Sequence, residues 1–288
     1  MDDPVFEPAA TIRAARNGRP FEAAAEGLWR VGSLQGLGAP CIAVVGTRAA
    51  TPLGKRLARE LSADLGRAGC CIVSGLALGV DSAAHEGALD SGGPTIGVLG
   101  SGHGQFFPAR NRGLAERIVA GGGAVLSPFP PDRAAQPWQF LARNGIVAAL
   151  SDAVVVVEAP ARSGALNTAG WAAGHVPVLA MPGDVDRPHV QGCLSLIRDG
   201  ALLARHAGDV LEAIGRMAGT CERLIPDEHR PGGPVFAALG AGAATLDDLV
   251  AATKRSPAQV LAELAVLELD GAIETRTPGT FAIVERRA

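Results

Sequence analysis

One repeated pattern constrains this chain more than any other: a continuous apolar run of strand length ends in glycine and gives way to a segment with helical period. The clearest copy begins at residues 41 to 46, Cys-Ile-Ala-Val-Val-Gly, and continues into residues 51 to 66, where Leu53, Leu57, Leu61 and Leu65 recur behind Pro52. Apolar residues every three to four positions give one buried helical face, and proline suits the first turn because an amide there has no intrahelical partner. Further strand runs fall at 70–73, 95–99, 124–126, 153–157 and 176–181, separated by helical segments at 80–89, 112–119, 138–150 and 166–173. Strands with one wet face alternate apolar and polar residues. These do not, so the predicted class is α/β, a mostly parallel sheet with helices on both faces.

Around that sheet region the chain divides into four parts. Residues 1–38 read as a lead-in, helical over 13–25, that packs on the main domain, which spans 39–217. Residues 218–234, with Pro226, Pro231 and Pro234 among few apolar side chains, read as a linker. In 235–288 three short helices, the last opened by Ser256 as N-cap and Pro257, precede a hairpin around Pro278-Gly279, which is the pattern of a small winged-helix-like domain. Its last helix carries Glu263, Glu268 and Asp270, so a structural or protein-contact role is expected there rather than duplex reading.

Hydrophobic residues make up 48% of 288, which excludes a wholly disordered chain. Apolar stretches stop at about five to eight residues, too short to cross a bilayer. The start, Met1-Asp2-Asp3-Pro4, lacks an export signal, so a cytoplasmic location is expected, with no membrane partner. Five cysteines without a CxxC pair, and six histidines without ligand spacing, predict neither a disulfide framework nor a metal; no cofactor is expected. A net charge of −3 argues against coating nucleic acid by bulk charge and directs attention to local cations.

Ligands of parallel sheets bind beyond the carboxyl ends of the strands, so the loops there are read together. Gly46-Thr47-Arg48 puts a guanidinium beside a sharp turn. Ser74-Gly75, with Gly79 four residues on, opens a helix whose free amides suit an anion, and Asp81 and His85 stand one turn apart as a structural pair. Gly100 to Gly104 leads to Arg110 and Arg112 at a helix start, with Phe106 and Phe107 available to stack on bases or, more commonly, to wedge the loop. Arg143 and Asn144 follow Phe140-Leu141-Ala142. Ser163-Gly164 forms an anion nest after Glu158, which either serves as an acid, orients Arg162 or caps the next helix. Met181-Pro182-Gly183-Asp184 turns the chain away from the sheet. Neither Ser74 nor Ser163 sits in a G-x-S-x-G elbow, and no Walker A order occurs, so the loops predict binding of a polyphosphate ligand, a nucleotide or a DNA strand, without catalysis.

In order, Val44-Val45-Gly46-Thr47-Arg48, residues 74–85 (Ser-Gly-Leu-Ala-Leu-Gly-Val-Asp-Ser-Ala-Ala-His), 107–111 (Phe-Pro-Ala-Arg-Asn), 126–130, 140–144 (Phe-Leu-Ala-Arg-Asn), 150–159, 163–169 (Ser-Gly-Ala-Leu-Asn-Thr-Ala) and 182–184 resemble the DNA-processing protein A family, also called Smf, of bacterial natural transformation. The resemblance implies an extended Rossmann-like domain that binds single-stranded DNA, forms a homodimer and helps load the RecA recombinase, with no hydrolytic role. It implies DNA contacts at Gly46, Arg48, Arg143, Ser163 and Gly164, with the 74–79 loop shaping the same pocket. The chain departs from the family at Gly145, where a second arginine is usual, so one backbone contact is either lost or supplied by Arg110 or Arg112. It departs again at Asn167, where isoleucine is usual, and its N-terminal helical domain is short. Two rival readings are a phosphoribosyl-cleaving enzyme centred on Glu158 and Arg162, against which the Pro-Gly-Gly-x-Gly-Thr loop of such enzymes is missing, and a sensor of a small nucleotide, which needs a closed pocket.

Overall fold

The computed structural model describes residues 3–18, 26–216, 233–242, 245–269, 272–277 and 279–283. The chain divides into two compact units, Met1–Gly219 and Thr220–Ala288.

In the large unit β1 (Val5–Pro8), α1 (Ala9–Ala15) and β2 (Gly27–Gly32) precede the repeating pattern, which runs β3 (Cys41–Val45), α2 (Pro52–Arg67), β4 (Cys71–Ser74), α3 (Val80–Asp90), β5 (Thr95–Val98), α4 (Arg112–Ala120), β6 (Ala124–Ser127), α5 (Pro137–Ala149), β7 (Ala153–Val156), α6 (Gly164–Ala172) and β8 (Val178–Ala180). Two further helices, α7 (Gln191–Arg198) and α8 (Ala207–Ala213), flank the short β9 (Leu202–Leu203). All nine strands form one sheet in the order β1-β2-β6-β5-β4-β3-β7-β8-β9. From β6 across to β9 every neighbouring pair is parallel, while β2 joins β6 and β1 joins β2 antiparallel.

The sheet therefore reaches into the residues expected to be a lead-in. Helix α1 covers only the start of the helical stretch expected at 13–25, and 19–25 lie outside the described residues. The signal was weak because β1 is an edge strand with little burial, and an edge strand has one partner and one exposed flank to satisfy.

Successive strand residues face opposite sides, and here both sides are apolar. Cys41, Ala43 and Val45 of β3 pack with α5 and α6 through Ile146, Val147, Ala165 and Ala169. Ile42 and Val44 pack the other way, with Ala58, Leu61 and Leu65 of α2 and Ala84 and Ala88 of α3. Ile42 and Ile72 are fully buried, and each side chain of that size contributes roughly 1.5–3 kcal/mol on leaving water. Helix α2 starts where the sequence placed it: Thr51 Oγ1 accepts from the Gly54 amide at 3.0 Å, with Pro52 next in the chain.

The small unit holds α9 (Pro234–Gly240), α10 (Leu246–Thr253) and α11 (Pro257–Leu269), then the antiparallel hairpin of β10 (Ile273–Thr277) and β11 (Thr280–Ile283). Val235, Leu249, Val260, Leu264 and Ile273 form its core. The acidic residues of α11 serve the unit itself. Glu263 accepts from the Val235 amide at 3.2 Å and from Arg255 at 2.6 Å, and Glu268 accepts from Thr275 at 2.9 Å. The linker expected at 218–234 lies almost entirely outside the described residues, as does Cys221. Cys41, Cys70, Cys71 and Cys193 are all buried. No described helix is long and apolar enough to cross a membrane.

Candidate nucleic-acid interface

Strands β3 and β7 are neighbours, but the chain winds from β3 toward β4, β5 and β6, and from β7 toward β8 and β9. The helices that follow go to opposite faces, so the loops leaving the two strands part and open a crevice at the carboxyl edge. A pocket of about 400 Å³ occupies it, lined on one side by Gly46, Thr47 and Arg48, on the other by Arg162, Ser163 and Gly164, and below by Gly75, Asp81 and Arg143.

The floor is a set of buried charges. Arg143, on α5, is 4% exposed, and its Nη1 donates to the Val98 carbonyl at 2.9 Å. Burial lowers its pKa to about 10, with Asp81 opposing the shift and Arg48 adding to it, so the guanidinium still carries its proton at neutral pH. A Cβ on Gly75 would stand 1.5 Å from Arg143 Nη1, so only glycine leaves the guanidinium its place. Asp81 Oδ2 accepts from the Gly75 and Ala77 amides at 3.1 and 3.4 Å. Burial pushes the Asp81 pKa up, while Arg143, the two amides and Arg48 pull it back.

His85 does not pair with Asp81 as the spacing suggested. Its Nδ1 lies 2.7 Å from Thr95 Oγ1, and that hydroxyl spends its one hydrogen on the Ile72 carbonyl at 2.8 Å. The hydroxyl must therefore accept, which places the imidazole proton on Nδ1. Burial, with Arg143 adding to it, lowers the His85 pKa to about 3, and the ring is neutral.

The rim is exposed and polar. Arg48 lies with Cζ 5.0 Å from the Phe140 ring centroid, a cation over an aromatic face. Ser163 caps α6 by accepting from the Ala165 amide at 3.3 Å, and the helix start at Gly164 faces the pocket, where an anion is favoured. Asn144 Nδ2 ties α5 to α6 by donating to the Gly164 carbonyl at 3.1 Å and to Asn167 Oδ1 at 3.2 Å. The unusual Asn167 thus has a polar partner.

Of the residues singled out from the sequence, Gly46, Arg48, Gly75, Arg143, Asn144, Ser163 and Gly164 line this one pocket. Ser74 stands beneath it, fully buried, donating to the Val44 carbonyl at 2.7 Å. Gly79 holds φ +85° with its Cα hydrogen toward Thr47, where a Cβ would come within 2.3 Å of the carbonyl oxygen. With Arg48, Lys55 and Arg110 it borders a second, cationic groove that meets the pocket at Arg48. Arg112 lies elsewhere, its Cζ 5.6 Å from the Phe106 ring centroid. Phe106 is buried in the core, whereas Phe107 is exposed and packs on Phe140 at 5.8 Å between centroids.

Glu158 neither holds Arg162 nor caps α6, two of the roles expected of it. Its Oε2 accepts from the Thr51 amide at 3.0 Å, which braces the start of the earlier helix α2, and its Oε1 lies 3.5 Å from His189 Nε2. Phe140, Leu141 and Arg162 line the pocket although the sequence reading did not count them as site residues. Each stands within three residues of one that it did count, and that adjacency was the available signal. Lys55 had none, because nothing in the period of α2 marks which turn faces the groove. Among the described residues no cluster of histidine, cysteine, aspartate and glutamate is arranged to hold a metal ion.

Residues 17–215 match the family model of DNA recombination-mediator protein A, and residues 222–279 match that of the DprA winged helix domain. A Mycobacterium tuberculosis protein carrying the DNA-processing name DprA is 41% identical over 288 residues, which is 95% of this chain and 72% of that one. The X-ray structure of DprA from Streptococcus pneumoniae superposes with a TM-score of 0.61 at 39% identity, covering 65% of this chain and 66% of that one. DNA processing protein A from Helicobacter pylori, whose structure addresses its single-stranded DNA binding mode, gives a TM-score of 0.61 at 28% identity over 73% of this chain and 94% of that one.

Proposed function

This chain belongs to the DNA recombination-mediator protein A family, and from that premise we propose that it binds single-stranded DNA across the pocket between β3 and β7 and helps to load the RecA recombinase onto the bound strand. The observation that carries the reading is the convergence of Arg48, Arg143 and the start of α6 on one pocket whose lining includes no nucleophile and base in contact. Phosphate oxygens sit at the α6 amides and within reach of Arg48 and Arg162, and the buried Arg143 supplies a fixed positive field from below. Gly46, Gly75, Asn144 and Ser163 shape the contact. Ser74 and Gly79 support the loops, and Arg110 with Lys55 continues the cationic path beyond Arg48. The work is binding rather than catalysis.

A homodimer belongs to the same proposal. Strand β9 closes one end of the sheet with Leu202 and Leu203 half exposed, and an uncovered apolar edge favours a second copy. Fluorescence anisotropy of a labelled single strand, against duplex of equal length and against free nucleotides, tests the reading. Preference for the single strand, weakening with salt and lost in Arg48→Ala, is the expected result. Saturable binding of a mononucleotide with no affinity for the strand would replace it with a nucleotide sensor. Recombinase loading is tested by adding RecA to strands already coated by single-strand-binding protein, with and without this chain.

A further inference from the structure

Gly145 and Trp171 meet across the seam between α5 and α6. A Cβ built on Gly145 lies 3.4 Å from Cδ2 and 3.4 Å from Cε2 of the indole and 3.7 Å from its Nε1. The nearest atoms are thus the two carbons of the ring fusion together with the ring nitrogen, which places the glycine against the face of the indole rather than its edge. Gly145 is buried by this contact, while Trp171 remains 57% exposed. One face of the ring is seated on backbone and its surroundings leave the side chain open to solvent. A Cβ at 145 would stand in van der Waals contact with the ring, so a longer side chain directed along the same line would compete with it for this seat.

This platform is continuous with the pocket. Asn144, next to Gly145, binds Gly164 and Asn167, and Trp171 stands one turn beyond Asn167 on α6. Leu141, one turn before Gly145 on α5, is 52% exposed and lines the pocket. Seven residues separate Gly164 from Trp171, roughly 10 Å of helix, or about three steps of a stacked strand. An exposed tryptophan face beside a phosphate-favouring helix start fits a nucleobase, which brings a flat π surface and leaves its sugar-phosphate in water.

We propose that Trp171 is a base-stacking platform, which takes a nucleobase of the strand just outside the pocket and so lengthens the single-stranded site along the α5–α6 seam. The inference rests on the strand binding proposed above.

The test uses the full chain and labelled oligothymidylates, one short enough to fill only the pocket and one of thirty nucleotides, the latter also with abasic sites throughout its length. Trp171→Leu keeps an apolar cover on Gly145 but removes the aromatic face, and Trp171→Phe restores a smaller one. The expected result is a loss of roughly tenfold on the thirty-mer in Trp171→Leu, partial recovery in Trp171→Phe, and no difference between wild type and either variant on the short or abasic strands. Quenching of tryptophan emission by the thirty-mer should shrink in both variants. Equal affinity of wild type and Trp171→Leu for the thirty-mer, with Arg48→Ala still defective, overturns the platform and leaves the pocket reading standing. An unchanged affinity accompanied by a lower oligomeric mass in Trp171→Leu assigns the indole to contact between copies, which also overturns it. Failure of the wild type to bind any strand overturns both.

Discussion

The floor and the rim of the pocket are built from the same residue types and do opposite jobs. Arg143 on the floor is 4% exposed, anchored to a strand carbonyl and set against buried Asp81, so its position is fixed by the fold. Arg48 on the rim is exposed and held by the face of Phe140. A buried charge stripped of its counter-charge is costly, whereas an exposed one is solvated whether or not a ligand is present. Two arginines that line the same pocket should therefore fail in different ways when removed.

The largest expected effect comes from the floor. Arg143→Ala leaves Asp81 without its main cation and the Val98 carbonyl without its donor, and urea unfolding should show a loss of about 3–5 kcal/mol. A loss below about 1 kcal/mol would mean that the floor is as adaptable as the rim, and the comparison would break. Next comes Arg48→Ala, which should weaken single-strand binding by about tenfold or more and lower the slope of log affinity against log salt by about 0.7, while the melting profile stays that of the wild type.

Acid titration sharpens the contrast further. The His85 pKa falls from 6.5 to about 3 on folding, so between those values the unfolded chain binds a proton that the folded chain refuses. The corresponding stability is complete above about pH 6.5 and is lost as pH falls toward 3, by at most about 1.4 kcal/mol per unit. Asp81, with its pKa raised, acts with the opposite sign: the folded state takes up its proton first as the medium is acidified. His85→Asn keeps a donor for Thr95 and cannot titrate, so its stability should fall less steeply from pH 7 to 5 than that of the wild type. Identical slopes would show that His85 is not the neutral group its surroundings require. The smallest effect belongs between the two zones: Ser163→Ala removes the cap of α6 and should cost about 0.5–1 kcal/mol in thermal or urea unfolding.

Much of this was legible before any coordinates. The runs at 41–46 and 153–157 are apolar at every position, which marks strands covered on both faces, and they became β3 and β7, neighbours in the interior of the sheet. Motif order also marked the segments around Arg48, Arg143 and Ser163, all of which reach the pocket. Edge elements were harder to read. Strand β1 has little burial and β9 consists of two exposed leucines, so neither imposes a pattern on its residues.

Side-chain partners were the least legible of all. The i, i+4 spacing of Asp81 and His85 suggested a pair, but Thr95 from the next strand took the histidine and the 75–77 amides took the carboxylate. Glu158 looked forward to its own loop and in fact braces α2, more than a hundred residues earlier in the chain.

The sequence by itself determined the class of fold, the family and the segments that line the pocket, because periodicity and motif order are local properties that any one segment displays alone. Only the tertiary structure decided that Arg143 is floor and Arg48 is rim, that Ser74 and Gly79 support rather than line the pocket, and that Trp171 sits on Gly145. Burial and partnership depend on which distant segments the sheet brings together, and that is settled by packing the whole unit at once.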